Sequence, residues 1–316
     1  MKRTTFALIM LIAFPLLSIG QDFTILESDS HHISLRFDLG DFSIDTVRCN
    51  GELMHVIASK GIVMPNDYGQ PDLPTFNRFV AIPQGAKAIV EVNTRRGEQL
   101  HDINIMPSFG SQCENDPELS LFKDPKVYGS NSFYPSEVYS IAEPQQLRGV
   151  DVIHLGISPF QINPVTRELS VQRELDIDIR FEGGNGHFGD DRLRSRYWDP
   201  ILRNNILNYE SLEPIDYDAR MQQWTQNRST GCEYLIITPD NDAFYNAGKE
   251  LADYRNKQGI LTKVMRVTEI DNPNAQTAQT IIKQWIRNVY ANWDIPPAAV
   301  CIIGESSYNL QQCVPG

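Results

Sequence analysis

Side chains able to do covalent chemistry are few in this 316-residue chain, and they are scattered. There are five cysteines (Cys49, Cys113, Cys232, Cys301, Cys313) and six histidines, the last of them His187. A thiolate needs a neighbouring base to be a competent nucleophile at neutral pH. No histidine follows His187 to serve Cys232, Cys301 or Cys313. Cys232 and Cys301 lie in or beside apolar runs and read as small buried hydrophobes, while Cys313 falls in a loop. The run Gly304-Glu305-Ser306-Ser307-Tyr308 resembles half of a nucleophile elbow, but it lacks the second glycine and a downstream histidine. Glu305 stands at a strand's carboxyl end, where α/β sheets gather their chemistry, yet one carboxylate specifies no reaction. Glycine-rich dinucleotide and phosphate loops are missing, as are paired CxxC motifs and histidines at metal-ligand spacing. From these residues we assign no catalytic residue and no evident cofactor.

The elements that would position such groups are clearest in the last third. Tyr234-Leu-Ile-Ile237 is a continuous apolar run of the kind found in strands buried on both faces. Asp240 or Asn241 caps a helix with an apolar face of Phe244, Ala247, Leu251 and Tyr254, closed by Gly259. Ile260 to Val267 is a second strand. Asn274 caps a helix marked by Ala278, Ile281, Ile282, Trp285, Ile286 and Val289, and a third strand follows Pro296-Pro297. Right-handed crossovers make this βαβαβ unit parallel. It stands incomplete, with only three strand ends to carry a site.

From Gln21 to about Gly184 the period is two. Ile33, Leu35, Phe37 and Leu39 alternate with polar residues, and so do Leu175, Ile177, Ile179 and Phe181. Shorter candidates are Phe79–Ile82, Ala88–Val92, Val150–Ile157 and Leu169–Gln172. Many short half-buried strands describe a β-sandwich-like domain. Gly110 to Glu137 breaks the pattern and reads as a long loop carrying Lys123 and Lys126, either a loose excursion or a contact for a partner. Gly183 to Thr230 looks like a joint. Arg220 and Arg228 within it are single basic residues of the kind a trypsin-like protease cuts, or else ordinary surface arginines.

Lys2 and Arg3, the apolar run Phe6–Leu17 and the small residues of Ser18-Ile19-Gly20 form a secretory signal cleaved before Gln21, too short to span a bilayer. Net charge is −12, with no basic stripe, which argues against nucleic acid as a partner. The expected organisation is therefore a signal (1–20), a β-sandwich-like domain (21–184), a linker (185–230) and the start of a parallel α/β domain (231–316).

Two blocks carry a family resemblance. Tyr234-Leu-Ile-Ile-Thr-Pro-Asp240 with Leu251-Ala-Asp-Tyr-Arg-Asn-Lys-Gln-Gly259, and Ile282-Lys-Gln-Trp-Ile-Arg-Asn-Val-Tyr-Ala-Asn-Trp-Asp-Ile-Pro-Pro297 with the strand after it, are similar to the opening of a gingipain-type cysteine peptidase domain. Where that family's strand ends Gly-Asp, this one ends Gly304-Glu305. Upstream, Gly69-Gln-Pro-Asp-Leu-Pro74, Ala81-Ile-Pro-Gln-Gly85, and Arg148-Gly149 leading to Ile157-Ser-Pro-Phe-Gln-Ile-Asn-Pro164 resemble the family's propeptide.

The resemblance implies a secreted cysteine endopeptidase acting on peptide and protein substrates. It implies a caspase-like α/β fold and a β-rich propeptide that packs on its own catalytic domain, assists folding and blocks the active site until cut away. The family's catalytic His and Cys motifs are not matched here, so the chain alone is expected to be inactive. Cleavage after Arg220 or Arg228 would release the α/β domain, and Lys123 and Lys126 are candidate inhibitory contacts. Calcium is implied only by the family. Two rival readings stay open. One is a β-domain acting in trans as inhibitor or chaperone, for which residues 21–228 alone would inhibit a related peptidase. The other is a cell-surface binding module, which predicts no inhibition.

Overall fold

The structure, a computed structural model, describes residues 22–60, 66–110, 120–270 and 278–304. In the first part, β1 (Phe23–Ser28) and β2 (His32–Asp38) form a hairpin, followed by a second hairpin of β3 (Phe42–Cys49) and β4 (Glu52–Ser59). Next come β5 (Phe76–Ala81), β6 (Ala86–Leu100), the one-turn α1 (Pro125–Tyr128), β7 (Tyr139–Ile141) and β8 (Gln145–Leu147). The series ends with β9 (Val150–Ile157), β10 (Phe160–Asn163) and β11 (Glu168–Gly183). The strand β11 is the spine: β6 runs along one side of it, and β2 and then β10 pair along the other, all antiparallel. A second sheet holds β5, β9 and β7 in that order, with β8 also on β9.

The alternation in β2 and β11 does what period two requires. Ile33, Leu35, Phe37, Leu175, Ile177 and Ile179 are buried, and they share one core with Val80, Val152 and Leu155 of the second sheet. The two apolar faces close on each other as a sandwich-like domain. On the outer face, Arg36 and Arg95 each reach both Glu174 and Asp176 at 3.1–3.6 Å. Where the β6–β11 register shifts, the Arg173 guanidinium lies 4.4 Å from the centre of the Phe42 ring and binds the second hairpin to the sheet.

Residues 185–230, expected as a linker, are packed structure. They carry α2 (Asp199–Asn205), a 3-10 turn (Tyr209–Ser211) and α3 (Tyr217–Thr225). Phe188, Leu202, Ile206, Tyr209 and Leu212 enter the β core itself. Asn208 bridges both backbone groups of Ala81, accepting from its N–H at 2.7 Å and donating to its carbonyl at 3.0 Å. The β domain therefore does not stop at Gly184; its last layer is this strap.

In the last part, β12 (Tyr234–Thr238), α4 (Asp242–Lys257), β13 (Thr262–Arg266), α5 (Val267–Ile270), α6 (Ala278–Asn292) and β14 (Ala299–Ile302) form the expected parallel unit. β12 is central, with β13 on one side and β14 on the other. Asn241 caps α4, accepting from Ala243 N at 2.9 Å. The apolar face read for α4 needs correction: Ala247 is exposed and Tyr254 is 58% exposed, whereas Gly248 and Ala252 are buried. The reason is Gly248. Without a side chain it lets the helix sit on Val264, Thr238 and Ile236, and a Cβ there would lie 3.0 Å from Val264 Cγ1. On the opposite face Ile282, with Trp285 and Ile286, packs on Cys232, Leu235 and Ile237.

Candidate functional site

The two candidate processing arginines stand in different surroundings. Arg220 lies within α3, whose first turn is capped by Asp216, and its side chain is spent on the strap: Nη1 donates to Arg194 O at 2.7 Å and Nη2 to Asp191 O at 2.8 Å. It is half-buried, not the exposed side chain the sequence led us to expect. Cutting after it would require a helix to open. Arg228 is exposed and follows α3, beyond Asn227, which has φ 54°.

Both flanks of the Arg228–Ser229 bond are anchored. Upstream, Trp224 Nε1 donates to Gly231 O at 2.8 Å. Downstream, Asp294 Oδ2 accepts from Thr230 N at 2.8 Å and Thr230 Oγ1 at 2.9 Å, and Ile295 N donates to Thr230 O at 3.0 Å. The Thr230 donors hold the Asp294 carboxyl below its ordinary range. Gly231, at φ +99°, is the residue this turn needs, since a Cβ there would collide with the Ile295 carbonyl. The exposed bond thus sits in a short loop between two fixed points.

The loop from Gly110 to Glu137 is described from Ser120 onward; residues 111–119 lie outside the described residues. From Ser120 it is stitched to the Gly69-Gln-Pro-Asp motif. Tyr68 OH donates to Ser120 O at 2.7 Å, the rings of Tyr68 and Phe122 stack at 5.6 Å, and Asp124 N donates to Gly69 O at 2.9 Å. Tyr128 OH donates to Ile105 O at 3.0 Å. Lys123 is committed inside this assembly: its Nζ lies 2.8 Å from Glu52 Oε1, and this bond holds the Glu52 carboxyl low. Lys126 is exposed, and its backbone N–H caps α1 by donating to Asp124 Oδ1 at 2.9 Å. The two lysines are therefore not equivalent.

At the carboxyl ends of β12 and β13, Arg266 bridges Asp240 at 3.0 Å and Asp242 at 2.6 Å. The crevice where strand order reverses, between β12 and β14, is the position at which open α/β sheets bind ligands. Glu305 and Ser306, beside it in sequence, and Cys113 and Cys313 lie outside the described residues. Cys232 is fully buried and its thiol is pushed up to about 12 by desolvation, which leaves no thiolate at neutral pH. Cys301 is half-buried in β14 against Tyr234. Among the described residues, no group of three His, Cys, Asp or Glu side chains is placed to hold a metal ion, and no helix is long and apolar enough to cross a membrane.

Sequence reasoning passed over the arginine strap. Arg192, Arg194 and Arg196 occupy alternate positions among Asp190, Asp191 and Asp199. Arg194 is 2% exposed and forms a paired contact with Asp199 at 3.2 and 3.0 Å, a third bond to Tyr209 OH at 3.2 Å, and a contact with Glu213 O. The alternating Arg spacing among carboxylates is the signal that would have marked it.

Comparison with known proteins bears on the whole chain. The family profile Propeptide_C25 matches residues 19–214, and that of Peptidase family C25 matches residues 227–316. The chain is 23% identical to Gingipain R2 of Porphyromonas gingivalis over 337 residues, covering 100% of this chain and 43% of that protein. It is 24% identical to Lys-gingipain of the same organism over 160 residues, covering 47% of this chain and 9% of the relative. The chain thus spans less than half the length of these curated relatives. Among solved structures, the complex of Porphyromonas gingivalis RgpB pro- and mature domains matches with a TM-score of 0.53 at 20% identity, over 61% of this chain and 98% of that one. At that identity the likeness concerns the fold alone.

Proposed function

The chain belongs to the C25 cysteine peptidase family, as a C25 propeptide followed by the start of a C25 peptidase domain, and from that premise we propose that it is the amino-terminal part of a secreted cysteine endopeptidase zymogen. The observation that carries this reading is the bond after the exposed Arg228, in a loop anchored on both sides between the last layer of the β domain and the first strand of the α/β unit. Residues 21–228 act as the propeptide, and the peptidase domain begins at Ser229. Its fold is caspase-like, and the thiol nucleophile and its base are supplied by sequence after β14. Residues 1–20 direct export and are removed. Substrates are peptides and proteins.

Latency is assigned to the loop around Lys126. This side chain is exposed on a rigid platform made by Tyr68, Phe122 and Asp124, while Lys123 is tied to Glu52. Calcium binding remains a proposal from the family alone. The test is the full-length precursor, assayed on a peptide substrate before and after cleavage at Arg228. Activity that appears only after the cut supports the reading. Equal activity before and after the cut overturns it.

A further inference from the structure

We propose that Asp294 is the seat of a new amino terminus, the α-ammonium that Ser229 acquires when the Arg228–Ser229 bond is cut; this rests on reading that bond as the processing site. Hydrolysis adds one water across the bond and leaves a carboxylate on Arg228 and an ammonium on Ser229. The positive charge therefore arises one residue before Thr230, which Asp294 already holds. Among the described residues, Asp294 accepts through Oδ2 alone, from Thr230 N at 2.8 Å and Thr230 Oγ1 at 2.9 Å. Its Oδ1 is left over, and an ionised carboxylate has lone pairs for further donors.

The segment needs little movement to make this contact. The nitrogens of Ser229 and Thr230 belong to consecutive residues, less than about 3.8 Å apart, and rotation about one backbone bond of Ser229 turns the first toward the carboxylate. Before the cut that nitrogen is an amide fixed to Arg228. The residues after it are already laid against the turn that follows α6. Ile295 N donates to Thr230 O at 3.0 Å, Cys232 N donates to Ile295 O at 2.9 Å, and Gly231 pairs with Ile295 in a parallel bridge. All these bonds lie within the α/β unit and do not depend on the chain before Ser229. Ser229 is itself half-buried, and its hydroxyl is enclosed without a hydrogen-bond partner among the described residues. It lines a cavity of about 740 Å³ walled by Trp224, Tyr245 and Trp293. The new terminus is thus a single enclosed residue, not a tail.

The charged groups around the seat come from three elements. Lys249 and Asp253 of α4 and Lys263 of β13 line the same cavity, and Lys263 Nζ lies over the Trp293 ring at 5.8 Å. Arg192 of the strap also acts on Asp294, but its guanidinium is engaged by Asp190 at 2.8 Å and by the carbonyls of Ala291 and Trp293 at 3.2 and 3.4 Å. Arg192 lies upstream of the cut. The Thr230 donors hold the Asp294 carboxyl below its ordinary range, so it is ionised wherever an α-amine is protonated. From Asp294 the chain runs through Ile295 and Pro296-Pro297 into β14, whose carboxyl end borders the crevice of the sheet. The ion pair exists only in the cut chain and tightens the turn that leads into β14. Cutting is thereby converted into a contact inside the α/β unit.

The test is periodate oxidation of the whole chain, nicked after Arg228 by limited trypsin digestion and read by mass spectrometry. Periodate cleaves the Cα–Cβ bond of an amino-terminal serine through its unprotonated amine and its hydroxyl. Asp294→Asn keeps an acceptor oxygen for Thr230 and loses the charge. At neutral pH, Ser229 is expected to oxidise about threefold more slowly in the native chain than in Asp294→Asn, the scale of an exposed ion pair. The pair raises the amine above its ordinary range of about 7.7–8.0, so the slowing is present below that range and lost as pH rises through the raised value. Equal rates at neutral pH overturn the proposal. So does a difference that persists unchanged at high pH, since Asp294 would then act only as a structural anchor. Should the variant fail to fold, the native nicked chain decides: oxidation that follows an ordinary α-amine titration overturns the proposal, and a higher one supports it. None of these readouts uses peptidase activity. A full-length precursor inactive after processing would sink the zymogen reading and leave the seat standing, whereas a bond that trypsin cannot open overturns the Arg228 reading and the seat with it.

Discussion

Thr230 and Asp294, 64 residues apart, hold each other by three hydrogen bonds: two run from Thr230 N and Oγ1 to Asp294 Oδ2, and one returns from Asp294 N to Thr230 Oγ1 at 3.2 Å. This pair fixes the chain two residues after Arg228 and closes the downstream end of the loop that carries the proposed cleavage site. Asp294→Ala is expected to cost about 1 kcal/mol and to speed trypsin cleavage after Arg228 several-fold, read by the rate of band loss. The pH dependence has a definite sign. The Asp294 carboxyl is lowered from its ordinary value of 3.8 by the Thr230 donors, so its contribution is fully present above that value and fades as pH falls through the lowered one. Cleavage slowed by the latch at pH 5 to the same degree as at pH 7 is the expected profile, and a latch lost between those values would contradict it.

Arg194 presents a different case, because its partner is nearly as enclosed as itself. Arg194→Ala strands the Asp199 carboxylate, 12% exposed, without its guanidinium. Removing one member of a buried pair costs about 3–5 kcal/mol. We expect the urea midpoint of the whole β domain to fall, since Tyr209 of the same network belongs to its core. A loss confined to residues 190–220, with the sheets unaffected, would contradict the assignment of the strap to the β domain.

Much of this architecture was legible from residue order. The parallel unit announced itself because β12 and β14 are continuous apolar runs and β13 follows a glycine-closed helix. β2 and β11 were legible because one face is buried and the other wet. What stayed hidden has physical causes. β6 runs from Ala86 to Leu100 but was visible only near Ala88–Val92, because residues 93–99 face water and lose the alternation. The β3–β4 hairpin is largely exposed, with Val47 40% and Leu53 49% accessible, so burial leaves little pattern in it. The strap was read as a joint because α2 has only 7 residues and its surroundings are held by buried charge, which a hydrophobic pattern does not report. At the candidate site, Arg228 was legible by type and position, whereas the burial of Arg220 depended on carbonyls 26 and 29 residues away.

Lys123 and Lys126 are expected to separate in mutagenesis. Lys123→Ala removes a half-exposed ion pair with Glu52 and should cost up to about 1 kcal/mol of stability. Lys126→Ala removes an exposed side chain while its backbone cap remains, and should leave stability within about 0.5 kcal/mol. In the full-length precursor, latency is expected to weaken with Lys126→Ala and to persist with Lys123→Ala. Activity measurements on the uncut precursor decide between them.

Cys232 should behave as a core residue. Its thiol is pushed up to about 12 by burial, so alkylation by iodoacetamide at pH 8 is expected to leave it unmodified in the folded chain and to label it only after denaturation. Mass spectrometry of the peptide containing Cys232 reads this directly. Rapid labelling of the native protein would show a thiolate that the structure does not support.

The central claim is that a folded propeptide and a peptidase domain meet at the bond after Arg228. Its most direct test is the amino-terminal sequence of the mature protein released from the full-length precursor. The structure predicts a terminus at Ser229, unchanged in an Arg220→Gln variant and abolished in Arg228→Gln. A terminus at Met221, or one inside the strap, would contradict it, because the first requires cutting within α3 and the second within packed structure.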